Sequence, residues 1–439
     1  MQINSKVQRI FTHEGATAKH TQPIQELKRT VLSCLLWESG FYESGESISE
    51  RIKSLILKCD PVDVANLAIE AREKHHLRHV PLFIVRELSR TIQTKINLAD
   101  VLSKIIQRPD EITEFLAMYW LEGKSPISKQ VKKGLARAFG KFSEYQLAKY
   151  NRDNAIKLRD VLFLVHAKPK DDEQAELWKR LANGTLETPD TWEVALSSGA
   201  DKKEVFERLL REKKLGYMAL LRNLRNMSLS GVDQDLIFNA LRDGAEKSKA
   251  LPFRYLAAAR AVPQWEEQID EAMQLATKNI EKLNGKTVLL IDISGSMSDS
   301  LSSKSDLRRI DAACALAVLA RECFKDCHVV TFSHHVIGVP PRRGMALVDA
   351  IMNSQQMAGT YLGQSVAAMN EQVPYDRLIV ITDEQSADSV PDPLNNGYMI
   401  NVATNKNGVG YGKWTHIDGF SESVIQYIAE IESAKVEAR

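Results

Sequence analysis

The chain has 439 residues, 44% of them apolar and 26% charged; this is the composition of a folded protein with several sizeable cores, and it excludes wholesale disorder. Its 58 Lys and Arg against 57 Asp and Glu leave a formal charge of +1. Taken whole, that balance argues against a dedicated polyanion binder. The first residues, MQINSKVQRIFTHEG, hold no apolar core of signal-peptide length, and no run of about eighteen apolar residues follows. The five cysteines, Cys34, Cys59, Cys314, Cys323 and Cys327, are odd in number and lack CxxC spacing. The expectation is a reduced, cytoplasmic protein without structural zinc or membrane contact.

From about residue 20 to residue 282 the chain reads as helix after helix. Ile24, Leu27, Val31 and Leu35 fall on one helical face, widened by Leu32 and Leu36. Asp60-Pro61 has the form of an N-cap followed by proline at the first helical position, and Arg108-Pro109-Asp110 and Thr188-Pro189-Asp190 repeat that device. Further amphipathic segments cover 62–74, 78–90, 111–121, 155–167, 203–213 and 232–243. Short helices with short connections predict stacked helix pairs, an α-solenoid, although no strict sequence period is present. A plain globular helical domain is the simpler alternative.

The pattern changes at Asn284-Gly285. Thr287 to Ile291, His328 to Phe332, Leu378 to Ile381 and Met399 to Val402 are short apolar runs. Helical stretches at 306–325 and 362–372 separate them, and another lies at 421–432. That alternation predicts a doubly wound parallel sheet covered on both faces. The domains are therefore expected at 1–284 (helical) and 285–439 (α/β). Split there, the charge is no longer neutral. Residues 285–439 hold 13 Lys and Arg against 18 Asp and Glu, a net of −5, while residues 1–284 carry +6. Residues 124–170 alone hold 12 basic and 3 acidic side chains, a net of +9.

Asp292-Ile293-Ser294-Gly295-Ser296 directly follows the first buried strand. Ligands of open α/β sheets bind outside the carboxyl ends of strands. One carboxylate and two hydroxyls there form a hard oxygen set suited to Mg²⁺. Thr360 precedes a helix and Asp383 ends a strand, so they are the expected third hydroxyl and second carboxylate. The simpler alternative is that Ser294 and Ser296 only cap the next helix. With Thr360 and Asp383 included, the set resembles the metal-ion-dependent adhesion site of von Willebrand factor A domains. That resemblance implies capture of an acidic side chain from a partner rather than catalysis. No positioned general base is visible, since Glu384 and Asp383 are neighbours on a strand end and point apart.

In the basic stretch, Lys124, Lys129, Lys132, Lys133, Arg137 and Lys141 recur at spacings that place several on one helix face. Lys149, Arg152, Lys157, Arg159 and Lys168 follow. Neutralising about six phosphates would make affinity fall steeply with salt. Phe139, Phe142, Tyr145 and Tyr150 lie between them; core packing is the favoured reading of each, stacking on unpaired bases the alternative. In the cluster His75-His76-Leu77-Arg78-His79 the i and i+4 histidines face alike, which could suggest a metal. The histidines lack the Cys or carboxylate partners of a zinc site. Gly408-Val409-Gly410-Tyr411-Gly412 lacks the lysine and strand–helix context of a phosphate cradle.

Five segments resemble the TROVE family, in the family's order: Leu27 to Glu43, Ala71 to Pro81, Lys157 to Pro169, Met218 to Met227, and Pro252 to Tyr255. The chain looks like a compact bacterial or phage-type member. The resemblance implies a monomeric ring of HEAT-like repeats closed by the A domain. It implies small noncoding Y-type RNA on the basic outer surface and single-stranded ends of misfolded or decaying RNA in a central hole. It also implies a role in RNA quality control beside a 3′-to-5′ exoribonuclease, with no catalysis of its own. Carried over by position, the outer RNA surface falls on Lys149, Arg152 and His166, and His75, Arg78 and His79 near the lumen of the implied ring are further RNA candidates; Lys129, Lys132, Lys133, Arg137 and Lys141 rest on charge. Two other readings compete: a scaffold that captures an acidic partner through the metal, and a nuclease using Asp292 and Asp383, for which no paired-metal carboxylate cluster is visible.

Overall fold

The computed structural model of the chain describes residues 11–12, 14–17, 22–32, 45–91, 96–151, 153–248, 250–301, 307–403 and 408–419, with 424–425, 428 and 432 beyond them. Arg152 and Cys34 lie outside the described residues, as does much of the helix expected at 421–432. No helix among the described residues is long and apolar enough to cross a membrane. The chain packs as two compact units, one of Pro23–Val31 with Ser47–Ala200, the other of Asp201–Arg439 with Met1–Gln22 and Leu32–Glu46.

The first unit is helical: α1 (Pro23–Leu32), α2 (Gly45–Ile56), α3 (Pro61–Glu73), α4 (His79–Arg90), α5 (Leu98–Ile105), α6 (Pro109–Tyr119), α7 (Lys129–Phe139), α8 (Glu144–Tyr150), α9 (Leu158–Val165), α10 (Asp172–Asn183) and α11 (Trp192–Ser197). Each helix from α3 to α7 packs on its next neighbour or the one after, such as α3 on α4 and α5, and α5 on α7. That is the near-one-dimensional packing pattern of stacked repeats. Asp60 caps α3 as expected, accepting from the Val62 amide at 2.8 Å. The other two proline devices differ. At α6 the cap is Glu111, whose Oε2 accepts from the Arg108 amide at 3.1 Å. At α11 the helix starts later, capped by the Thr191 hydroxyl rather than Thr188, because Thr191 presents its oxygen to the Val194 amide at 3.3 Å.

Glu111 is fully buried and gathers this stack. Arg72 of α3 donates to its Oε1 at 2.7 Å and to the Ile105 carbonyl, at the end of α5, at 3.0 Å. The Gln107 amide donates to its Oε2 at 2.7 Å. One carboxylate thus ties α3, α5 and α6 with its lone pairs filled, which is the condition for a buried charge to be tolerated.

The second unit opens with α12 (Lys202–Arg211), α13 (Tyr217–Leu229), α14 (Gln234–Ala245), α15 (Pro252–Ala261) and α16 (Glu266–Thr277). It continues with β1 (Leu283–Asp292), α17 (Arg309–Cys323), β2 (Phe324–Phe332), β3 (Val336–Gly338), α18 (Gly344–Met352), α19 (Leu362–Gln372), β4 (Arg377–Thr382), β5 (Asn396–Asn401) and β6 (Thr415–Asp418). The sheet order is β3-β2-β1-β4-β5-β6. All pairs are parallel except β2 with the short edge strand β3, so the sheet is mixed at one edge rather than wholly parallel. Val288 and Leu290 on one face of β1 pack with Leu362, Val366 and Met369 of α19. By the two-residue period the other face meets α17, which is buried around most of its circumference. Cys314, Cys323 and Cys327 are free and buried here, and burial pushes the last two thiols up to about 12.

Replacing Glu111 by Ala leaves Arg72 charged and buried. Urea denaturation is expected to show a loss of about 3–5 kcal/mol. Glu114→Ala, which removes a half-exposed partner of Arg78, is expected to cost about 1 kcal/mol or less.

Candidate functional site

β1 and β4 are parallel neighbours with Ile291 opposite Ile381, and the strand order reverses between them, which marks the crevice where α/β sheets bind ligands. Asp292 ends β1 and Asp383 directly follows β4. Asp292 Oδ1 accepts from the Ser294 amide at 2.8 Å and Oδ2 from the Thr382 hydroxyl at 2.5 Å. The Ser294 and Ser296 hydroxyls stand 3.3 Å apart. Thr360 is buried just before α19. Its loop is bound to both others: Gly295 N donates to Ala358 O at 2.9 Å, and Ala387 N to Thr360 O at 2.8 Å. Burial, and then the charge of Asp383, pushes the Asp292 carboxyl upward. No cation among the described residues pairs with Asp292. Two buried carboxylates with the hydroxyls of Ser294, Ser296 and Thr360 are a hard-oxygen set that a small divalent cation fits. All five expected positions lie in these three interlocked loops.

Three contributors were not read from the sequence. Thr382 donates to Asp292. Ser333 clamps the Thr360 loop, its hydroxyl donating to Gly359 O at 3.0 Å and accepting from Ala358 N at 3.0 Å. Asp388 caps α19 from the opposite loop, accepting from Gly363 N at 2.7 Å and Gln364 N at 2.8 Å. Small polar residues in loops give no periodic signal by which to find them.

Glu384 turns away from Asp383, in a left-handed backbone at φ 59°. It accepts from Val409 N and Gly410 N, both at 2.8 Å, and pairs with His416. The amides of the glycine-rich loop are therefore occupied by a carboxylate of the chain itself. His416 also faces Asp418 at 3.3 Å. Burial alone lowers its pKa, but the charges of Asp418 and Glu384 outweigh burial and raise it to about 9.

In the helical unit, α7 buries Val131, Gly134, Leu135, Ala138 and Phe139 and turns its lysines outward. Lys129 and Lys133 are exposed and Lys132 half-exposed. None of the three has an ion-pair partner among the described residues. The remaining candidates divide. Arg137 pairs with Asp100. Lys141 donates to the Ser103 and Ile106 carbonyls, closing the end of α5. Lys149 lies 3.5 Å from Glu193 and over the Tyr150 ring. His166 is exposed in a left-handed cap of α9. Arg78 is held by Asp110 at 3.2 Å and Glu114 at 2.7 Å, while His75 faces Glu70 and His79 faces Glu114. Arg78 is thus held by carboxylates inside the helical unit, and each of the two histidines lies beside one. Phe139 and Phe142 are core residues. Tyr145 is 52% exposed, and Phe163, which the sequence did not single out, is 63% exposed on α9.

Stacked helix pairs joined to a parallel sheet, with a carboxylate–hydroxyl set at the carboxyl ends of two central strands, define a helical-repeat protein carrying a von Willebrand factor A-type domain. Family models agree: a TROVE domain matches residues 178–321 and a Ro60 vWA domain matches residues 286–395. The solved structure of the Deinococcus radiodurans RO (RSR) protein shares the fold, with a TM-score of 0.61 at 17% identity over 92% of this chain and 100% of that one. Telomerase protein component 1 is 35% identical over 89 residues in Mus musculus and 34% in Rattus norvegicus. That stretch is 19% of this chain and spans only 3% of the length of either relative.

Two measurements check the A domain. Mg²⁺ at a hundredfold excess over its dissociation constant is expected to stabilise the chain by about 2.7 kcal/mol, read as a rise in Tm that Asp292→Ala abolishes. Because the folded His416 pKa is raised, its stabilisation is complete below the unfolded value of 6.5 and is lost as pH rises through about 9. Thermal melts from pH 7 to 10 are expected to show a loss of roughly 3 kcal/mol that His416→Gln largely removes.

Proposed function

We propose that the protein binds RNA through the lysine face of α7 and the adjoining surface of α8 and α9, without catalysis of its own. The observation that carries the reading is the set Lys129, Lys132 and Lys133, outward-facing cations without a carboxylate partner among the described residues. Exposed Tyr145 and Phe163 add π-faces on which unpaired bases stack. The match of residues 178–321 to the TROVE domain supports a ligand class of small noncoding Y-type RNA, with single-stranded ends of misfolded or decaying RNA as a second class. On this reading the protein works in RNA quality control in the cytoplasm, beside a 3′-to-5′ exoribonuclease.

The A domain adds a second recognition element. Asp292, Ser294, Ser296, Thr360 and Asp383 would hold Mg²⁺ directly or through water. When bound, the ion supplies a Lewis-acidic position open to a further oxygen. The uncompensated negative charge of Asp292 favours this reading, and the ligand it fits is an Asp or Glu side chain of a partner protein. Around the ion this chain's residues orient and desolvate: Thr382 and the Ser294 amide fix the Asp292 carboxylate, and Ser333 fixes the loop of Thr360.

Lys129→Glu, Lys132→Glu and Lys133→Glu together are expected to weaken binding of a structured RNA with a single-stranded tail at least tenfold at low salt. The slope of log affinity against log salt should fall by roughly 0.7–0.9 for each phosphate that is no longer neutralised. Filter binding across a salt series checks this, and affinity unchanged by the three reversals contradicts it. Asp292→Ala is expected to leave RNA binding intact.

A further inference from the structure

Phe11 and Thr12 pair with Ala16 and Thr17 in the manner of a small hairpin. Phe11 and Thr17 form an antiparallel bridge. Thr12 N donates to Ala16 O at 2.9 Å, and Gly15 takes φ 99°, a turn conformation that favours glycine. The hairpin closes on the loop that follows β4. The Thr12 hydroxyl donates to Ser386 O at 2.7 Å and accepts from Ala16 N at 3.0 Å. Ala16 N also reaches Ser386 O at 3.3 Å. Thr12, Ala16 and Ser386 are all buried.

The residue clasped is the middle one of three with distinct tasks. Gln385 N donates to Asp383 Oδ1 at 3.2 Å. Ala387 N donates to the carbonyl of Thr360 at 2.8 Å. The Ser386 carbonyl, between them, takes the hairpin. Two of the five candidate metal ligands thus hang on a three-residue rod whose centre is fixed by a segment more than 350 residues away in sequence. The far end of the rod is fixed too, since the Ser386 hydroxyl donates to Asp388 Oδ1 at 2.8 Å and Asp388 caps α19.

We propose that the 11–17 hairpin is a positioning element of the metal centre, with the Thr12 hydroxyl as the positioning group, so that cation binding and hairpin docking strengthen one another. The inference rests on the metal reading above. If hairpin docking strengthens cation binding by some factor, linkage requires that the cation strengthen hairpin docking by the same factor. The chain's N-terminal segment then reports metal occupancy, and its release loosens the site.

The test uses the full chain with Mn²⁺ as the probe, followed by electron paramagnetic resonance. Removing one hydrogen bond is expected to weaken Mn²⁺ about threefold to tenfold in Thr12→Val, while Thr12→Ser, which keeps the hydroxyl, stays within about twofold of the wild type. Hydrogen exchange on the unaltered chain is the second arm: Mg²⁺ is expected to slow exchange in the peptide covering 11–17. Equal Mn²⁺ affinity in wild type and Thr12→Val overturns the proposal, as does exchange at 11–17 that ignores Mg²⁺, or a Thr12→Ser loss equal to that of Thr12→Val. A wild-type chain that binds no Mn²⁺ overturns the metal reading itself, which separates the two failures.

Discussion

Two carboxylates buried at the crest of one sheet set the terms for the A domain. Asp292 and Asp383 sit at the ends of adjacent parallel strands because the β1–β4 register leaves them no other place. Like charges so close, away from water, oppose folding unless something offsets them. The surrounding loops offer neutral donors: the Ser294 amide, the Thr382 hydroxyl and the Gln385 amide. These orient the carboxylates without cancelling their charge. The Ser294 and Ser296 hydroxyls stand 3.3 Å apart beside the Asp292 carboxylate, and hydrogen bonds join the three loops.

The helical unit meets the opposite problem. Its basic stretch carries far more positive charge than its own carboxylates can pair, and the fold divides that excess. Some cations become structure: Lys141 closes a helix end and Arg137 binds Asp100. The lysines of α7 are left facing outward. A count of charges along the chain sees the excess but not its division, because Asp100 lies 37 residues from Arg137 in sequence. The same logic removes Arg78 from the RNA candidates, since Asp110 and Glu114 reach it from the next helix pair.

Much of the fold was legible because long elements carry periodic signals. The helices α3, α4, α6, α12 and α19 and the strands β1 and β4 fall within a few residues of the expected spans. The three-residue β3, the four-residue β6 and the nine-residue α18 were not legible, being too short to establish a period. Helix starts failed where two capping residues competed, as with Thr188 and Thr191. The places of the candidate metal residues were legible because each terminates a strand or opens a helix, positions that sequence marks clearly. The residues that hold them, Ser333 and Thr12 among them, act through loops and across long sequence separations. Phe163 was hidden for another reason: Leu158–Val165 holds more apolar residues than one helix face can bury, so the surplus had to face water.

RNA recognition by the α7–α9 surface is the central claim, and mapped photocrosslinking in cells tests it most directly. RNA and protein are crosslinked by ultraviolet light, the RNA is sequenced, and the crosslinked peptides are identified. Structured noncoding RNA joined to peptides from residues 129–166, with Tyr145 or Phe163 among the attachment points, is the predicted result. Absence of crosslinked RNA, or crosslinks confined to the A domain, would contradict the account.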